Sequence, residues 1–486
     1  MKKLIYKLAL LGLFVSLMAG CQSSLDINKS PNAPDISNAT PAILFPAGTL
    51  GTIGQTGGNL AAIGGIWSEY FTQSVIANQY KDIASYNITT NSFNAVYTGL
   101  FSNGLKNFQA VIDKSSASGD WNYYLLGTVM KAYTTQVLVD LYGTLPYSEA
   151  LQGQANLTPK WDEGSVVYDS LISAIEAAKA KDFSASTNTV PGSEDMIFGG
   201  DITKWIEFAN TLELKIYLRM VNDNPTKAQA GIVALYNSGA TFLTSDAAVT
   251  NFTDQQSKDN PFYENNIRSL NTGDNLRAST TFVSWLLDNG DPRIINYFGK
   301  ASPSSVNQGD DQNTTTNTSA AVFVQAWSDP VEIISAAESY FLQAEARVRF
   351  FNGDGAESLY NSGVLAAFNQ FELDGSTLLA GKYKFPSTGS DAQIESIITQ
   401  KWASCAYGCH GIEAFFEKNR TGYPKTSAVY STSTSYIPGQ FVVSKTSVLG
   451  GQLLPQRLPV PYISTSNNPN APTPVAISVP VWWAKK

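Results

Sequence analysis

The sequence gathers its acid–base and metal-binding potential at one histidine, His410. Imidazole is the usual general base and metal ligand near neutral pH. A Ser-His-Asp triad or a zinc site would have to be assembled around His410 alone. It follows directly on Cys405-Ala-Tyr-Gly-Cys409. That spacing is one residue longer than the C-x-x-C-H haem-attachment motif, and no second histidine exists to serve as an axial ligand. Two readings of the cysteines stay open. A disulfide between Cys405 and Cys409 is permitted outside the cytosol, and Gly408 would let the two Cα atoms approach within the ~4.4–6.8 Å a bridge needs. Alternatively they are separate reduced thiols, with Cys405 on the apolar face of a helix. His410 is structural in both.

Other suggestive patterns dissolve on inspection. Gly375 to Lys382 mimics a phosphate loop, but five residues rather than four separate Gly375 from Gly381, and Tyr383 replaces the magnesium-binding hydroxyl. Glu332, Glu338 and Glu345 fall along one expected helix with Arg347 and Arg349 as partners. This reads as a helix-surface charge network rather than paired catalytic carboxylates. No catalytic residue, metal ligand or cofactor is assigned, and the chain is not expected to be an enzyme.

The richer resource is aromatic: 24 Phe, 23 Tyr and 9 Trp. Flat rings offer sugar faces apolar area at low entropy cost, and Tyr and Trp add a polar handle. Rings on helix faces belong to a core, so ligand-binding candidates are sought in irregular segments. Trp327, just before Asp329-Pro330, is the best placed. Tyr263 sits in a polar loop beside Asn260, Asn265 and Arg268, groups suited to sugar hydroxyls. Tyr80 and Tyr86 flank a further loop. For each the competing reading is a ring that only packs its loop. Trp482 and Trp483 read as a plug that docks the C-terminus.

The elements that would position these residues are mainly helical. Apolar residues spaced by three and four predict amphipathic helices over 121–142, 165–181, 202–221, 331–350 and 391–406. Asn352-Gly353-Asp354-Gly355 separates 331–350 from a partner helix at 356–371. Ala337 and Phe341 fit the A-x3-F part of a tetratricopeptide helix, so antiparallel pairs with small residues at their crossings are expected. The stretches 240–276, 299–330, 372–390 and 421–486 read as non-helical, and the polar run from Asn307 to Ser319 as a surface loop.

The N-terminus bears on location. Lys2, Lys3 and Lys7 precede an apolar run from Leu8 to Leu17, and Met18-Ala19-Gly20 leads into Cys21. This predicts a secretory signal over 1–20 whose cleavage leaves Cys21 lipidated, carrying acyl chains such as palmitate. Two or more such chains anchor stably where one does not. Residues 21–46, broken by Pro31, Pro34, Pro41 and Pro46, read as an extended tether, and 47–486 as a single domain. Losing three lysines with the signal takes the formal charge from −8 to −11. Such a surface repels nucleic-acid phosphate.

In order along the chain, several blocks resemble the SusD/RagB family, specifically its SusD-like second branch. Asp26-Ile27-Asn28 and Pro31-Asn32-Ala33-Pro34 resemble its D-I-N-x-N-P-N segment, with Ser30 departing. Asp140-Leu141-Tyr142-Gly143 and Pro146-Tyr147-Ser148-Glu149-Ala150 resemble a second block. Gly200-Asp201, Trp205, Phe208-Ala209-Asn210 and Leu212 resemble a third. Asp291-Pro292-Arg293, the Glu338 to Glu345 segment and Gln400-Lys401-Trp402 follow. Glu413-Ala414-Phe415-Phe416-Glu417, Arg420-Thr421-Gly422-Tyr423-Pro424 and Arg457-Leu458-Pro459 complete the series, with Asn419 where a second arginine is usual.

The resemblance implies a tetratricopeptide-like helical scaffold with an irregular, loop-rich ligand-binding face. It further implies an outer-membrane lipoprotein facing the cell exterior, which captures glycan or peptide and delivers it to a TonB-dependent SusC-like transporter. Two rivals stand beside this: a glycan-active lipoprotein enzyme with paired carboxylates, and a scaffold lipoprotein that binds no small ligand.

Overall fold

Helix ends in this chain are written in short polar residues. A computed structural model describes residues 39–188, 190–312 and 319–485; the signal, Cys21 and residues 22–38 of the tether lie outside them. From Pro41 onward the chain forms one unit. Its principal helices are α1 (Pro41–Gly54), α2 (Leu60–Trp67), α3 (Lys106–Ser118), α4 (Trp121–Tyr142), α5 (Gly164–Lys179) and α6 (Ile202–Arg219). They continue with α7 (Pro225–Asn237), α8 (Thr280–Asn289), α9 (Ala336–Phe350), α10 (Ala356–Asn369), α11 (Ser390–Ser404) and α12 (Gly411–Thr421). Asp120 caps α4 by accepting from Tyr123 N at 3.4 Å, and Asp201 caps α6 by accepting from Lys204 N at 3.2 Å. Each satisfies an amide that the helix start leaves without a partner.

The strands are short and pair antiparallel in twos: β1 (Phe71–Gln73), β2 (Thr144–Leu145), β3 (Asp162–Glu163), β4 (Ala247–Val249), β5 (Leu276–Ala278) and β6 (Val331–Ile334). The pairs are β1 with β5, β2 with β3 and β4 with β6, in the registers Phe71↔Ala278, Thr144↔Glu163 and Ala247↔Ile334. Such fragments tie loops to the helical body and build no sheet core of their own. No described helix is long and apolar enough to cross a membrane.

Helix pairs carry the core. α9 and α10 lie together, and Phe341 is the reason for Gly363: a Cβ there would stand 2.6 Å from the Phe341 ring. α2 and α12 approach more closely still, with a Cβ on Gly64 placed 2.1 Å from Ile412 N. The C-terminus plugs in as expected. Trp483 is fully buried, 6.1 Å from Phe416 ring to ring, and Trp482 meets Tyr168 edge-on at 5.1 Å.

Three expectations need correction. The helix expected over 331–350 is a strand and a helix, because Ser335 accepts from Glu338 N at 3.1 Å and starts α9 after β6. The tether expected over 21–46 does not extend through Pro41 to Pro46, which belong to α1: Pro41 is its first residue, where a missing N–H has no partner to lose, and Pro46 lies inside the helix. The run from Asn307 is no free loop over its described part. Gln308, Asp310 and Asp311 are buried, and Gln308 Nε2 donates to Ile66 O at 3.0 Å.

Candidate functional site

The polar loop around Asn260 and the segment before β6 meet. Asn260 caps a single helical turn, Pro261–Tyr263, by accepting from Phe262 N at 2.8 Å and Tyr263 N at 3.1 Å. Its amide nitrogen donates to Asp329 O at 2.9 Å, and its own N–H to Trp327 O at 2.8 Å. Asn260 is 1% exposed, so it holds the two loops together and is not free for a ligand. Asn266 Nδ2 donates to Gln325 Oε1 at 3.3 Å and ties the same loops a second time.

Against this junction the chain forms a recess of about 240 Å³. Tyr297, Phe323, Phe262 and Phe371 give it aromatic walls, and Asn296, Gln325 and Asp329 bring polar atoms. Residues 405–411 close another side. The volume lies a little under the range of about 300–1,000 Å³ typical of small-molecule sites. Trp327 stands two residues from each of the lining Gln325 and Asp329 and is 36% exposed, an unusual state for a tryptophan in a chain with so full a core.

Of the residues expected to bind ligand, Asn260 is among those lining the recess, Trp327, Tyr263, Asn265 and Arg268 lie on the adjoining loops without lining it, and Tyr80 and Tyr86 lie elsewhere. Arg268 lies 5.4 Å over the Tyr263 ring and pairs with Asp259, Asp254 and Glu264, so its charge is already neutralised. Asn265 is exposed, its amide packed over Gly58. Tyr80 and Tyr86 are buried away from the recess and pack their loops, with Tyr86 Oη accepting from Ser444 N at 3.2 Å. The lining rings Tyr297, Phe323 and Phe371 escaped the sequence reading, since isolated rings in irregular or helix-end segments carry no pattern.

Cys405 and Cys409 stand as free thiols in this structure, with no bridge between them. Cys405 is buried at the end of α11, and Asn260 Nδ2 donates to Cys409 Sγ at 3.4 Å. Burial pushes both thiols up, leaving them protonated and weakly nucleophilic. His410 is buried with Nε2 2.8 Å from Glu338 Oε2, a structural histidine as expected.

That contact belongs to a buried ion network. Lys215 and Lys401 each bridge Glu338 and Glu413 at 2.9–3.2 Å. Arg219 joins Glu413 at 2.8 Å, Asp140 at 3.1 Å and Glu417. Arg420 binds Glu345 through two nitrogens at 2.6 Å each and also reaches Glu417. Phe416 and Trp483 cover Arg219 at 5.4 and 5.2 Å. Burial alone would raise these acids, but Lys215 and Lys401 hold Glu338 well below the usual carboxylate range, and Arg219 does the same for Glu413. Glu338 and Glu345 are therefore no helix-surface pair. Glu332 stands apart on β6, with burial pushing its carboxyl far up.

Residues from several of the family-like blocks thus meet inside. Asp140 comes from α4, Lys401 from α11, and Glu413, Glu417 and Arg420 from α12. A family model described as SusD-like, starch-binding and associating with the outer membrane matches residues 36–441. The chain belongs to the SusD-like family. Solved SusD-like structures share its fold. One SusD homologue, from Bacteroides uniformis, is 21% identical with a TM-score of 0.73, covering 91% of this chain and 99% of its own. A chitin-binding SusD homologue from Flavobacterium johnsoniae is 20% identical with a TM-score of 0.73, covering 91% and 98%. A SusD/RagB family protein from Bacteroides thetaiotaomicron gives 20%, 0.73, 92% and 99%. No curated protein matches the chain. The SusD-like fold here is the helical, tetratricopeptide-like scaffold that the helix pairs describe.

Proposed function

We propose that this SusD-like protein is a non-enzymatic, lipid-anchored surface receptor. It captures an oligosaccharide at the outer membrane and passes it to a TonB-dependent SusC-like transporter. The observation that carries the reading is the aromatic and amide-lined recess at the junction of the Asn260 and Trp327 loops. Ring faces there suit the apolar face of a pyranose, and Asn296 and Gln325 suit its hydroxyls. That a structural relative from Flavobacterium johnsoniae is chitin-binding supports a glycan as cargo. Cys21 behind its signal supports the anchor. Binding needs no covalent chemistry, in keeping with thiols held protonated and a histidine spent on Glu338.

Calorimetry of the purified chain against soluble neutral oligosaccharides tests the reading. Binding that weakens at least tenfold in Trp327→Ala, with no reducing sugar released, is the expected outcome. Release of reducing sugar would make the chain an enzyme. Silence across the panel would leave a scaffold protein.

A further inference from the structure

A second groove, of about 270 Å³, opens between residues 97–102, the loop 146–161 and a short helix, Tyr462–Asn467. It shares no lining residue with the first recess. Its wall is part aromatic and part aliphatic, with Leu151, Leu157 and Ile463 beside the rings. Tyr97 and Trp161 lie parallel within 6° with centroids 6.4 Å apart, and Phe101 meets Tyr97 at 4.6 Å. Thr98, Ser102 and Asn467 stand exposed along it, and Asn468 is fixed by donating to Pro159 O at 2.8 Å.

Two further features set this groove apart from an incidental dent. Not one charged side chain lines it, in a chain where 15% of residues are charged. Leu151, a lining residue, is held at a φ of +64°. That conformation is strained for a bulky residue and persists where the surroundings over-determine it.

We propose that this groove is a second carbohydrate site, taking a pyranose unit of a neutral glycan against Trp161 and Phe101. The sugar's apolar face covers ring carbon, and its hydroxyls meet Thr98, Ser102 and Asn467. An ionic ligand would find no counter-charge there to offset its desolvation. The proposal rests on the glycan reading above and extends it: two weak sites engaged together hold a polymer more tightly than either alone.

The test titrates the purified chain with chitohexaose, maltoheptaose and xylohexaose by calorimetry. Two binding events are expected with the accepted sugar. Trp161→Ala should weaken one at least tenfold and leave the other, with Trp327→Ala doing the reverse. Ser102→Trp fills the groove from an exposed position and should reproduce the loss without disturbing the core. Trp161→Phe, which keeps a ring, should restore binding. Unchanged titrations in Trp161→Ala and Ser102→Trp overturn the proposal and leave the groove to a protein partner. Loss of all binding in Trp327→Ala overturns it too, while sparing the glycan reading. A wild-type chain that binds none of the three overturns both.

Discussion

Single residues set the chain's response to pH, and two buried carboxyl groups pull in opposite directions. Glu69 is fully buried, accepting from Val442 N at 3.0 Å and from Thr281 Oγ1, and burial pushes it up to about 8. Unfolded, it titrates near the usual 4.5. The neutral acid is therefore favoured by folding, and that contribution, complete below about 4.5, fades as pH rises toward 8. Glu69→Gln should remove this fading. Urea midpoints at pH 5 and 8 should differ less in the variant than in the wild type, and equal differences would contradict it. Glu338 behaves in reverse. Its lysine partners depress it, so its contribution is present above the usual carboxylate range and is lost as pH falls below. At this scale the sequence was least informative. Asn260 and Tyr86 looked available for ligand by type and neighbourhood, yet partners far along the chain bury them, and of the candidate rings Trp327, Tyr263, Tyr80 and Tyr86 the first two keep exposure.

Elements were legible where apolar residues recur every three or four positions among polar ones and the ends are capped. α4 occupies the residues its periodicity predicts because Asp120 starts it and Gly143 stops it. α2 left no such trace. All eight of its residues, Leu-Ala-Ala-Ile-Gly-Gly-Ile-Trp, are buried, so there is no polar face to set a period. β6 misled for a related reason: its four buried residues merge into the apolar stripe of α9, and only the Ser335 cap separates them. Ser335→Ala should cost about 1 kcal/mol in urea denaturation. Gly64→Ala should cost more, on the order of 1–3 kcal/mol, since the added methyl meets the backbone at Ile412 and no side chain can swing aside. A neutral Gly64→Ala would mean that α2 and α12 are freer to separate than their contact implies.

Across the whole molecule, the buried ions bind the helices into one body. α4, α6, α9, α11 and α12 each contribute a charge, so no one of them can leave without stranding partners of opposite sign. Arg219→Met should destabilise by about 3–5 kcal/mol, because Asp140, Glu413 and Glu417 lose a shared partner while still buried. Thermal unfolding checks the figure, and a variant as stable as the wild type would show that water or relaxation takes over the charge. The fold was readable in advance because Asp140, Glu338, Glu345, Lys401, Glu413, Glu417 and Arg420 sit in the family-like blocks, although Lys215 and Arg219 lie outside them. The recess was not, because it is made by loops from distant parts of the chain that share no pattern. Trp483 adds a matter of timing. It covers Arg219 at 5.2 Å, yet synthesis from the N-terminus delivers it after every ion of that centre. Until it arrives, Arg219 lies open to water on that side. The last cover over this buried charge is therefore also the last of its parts to be made.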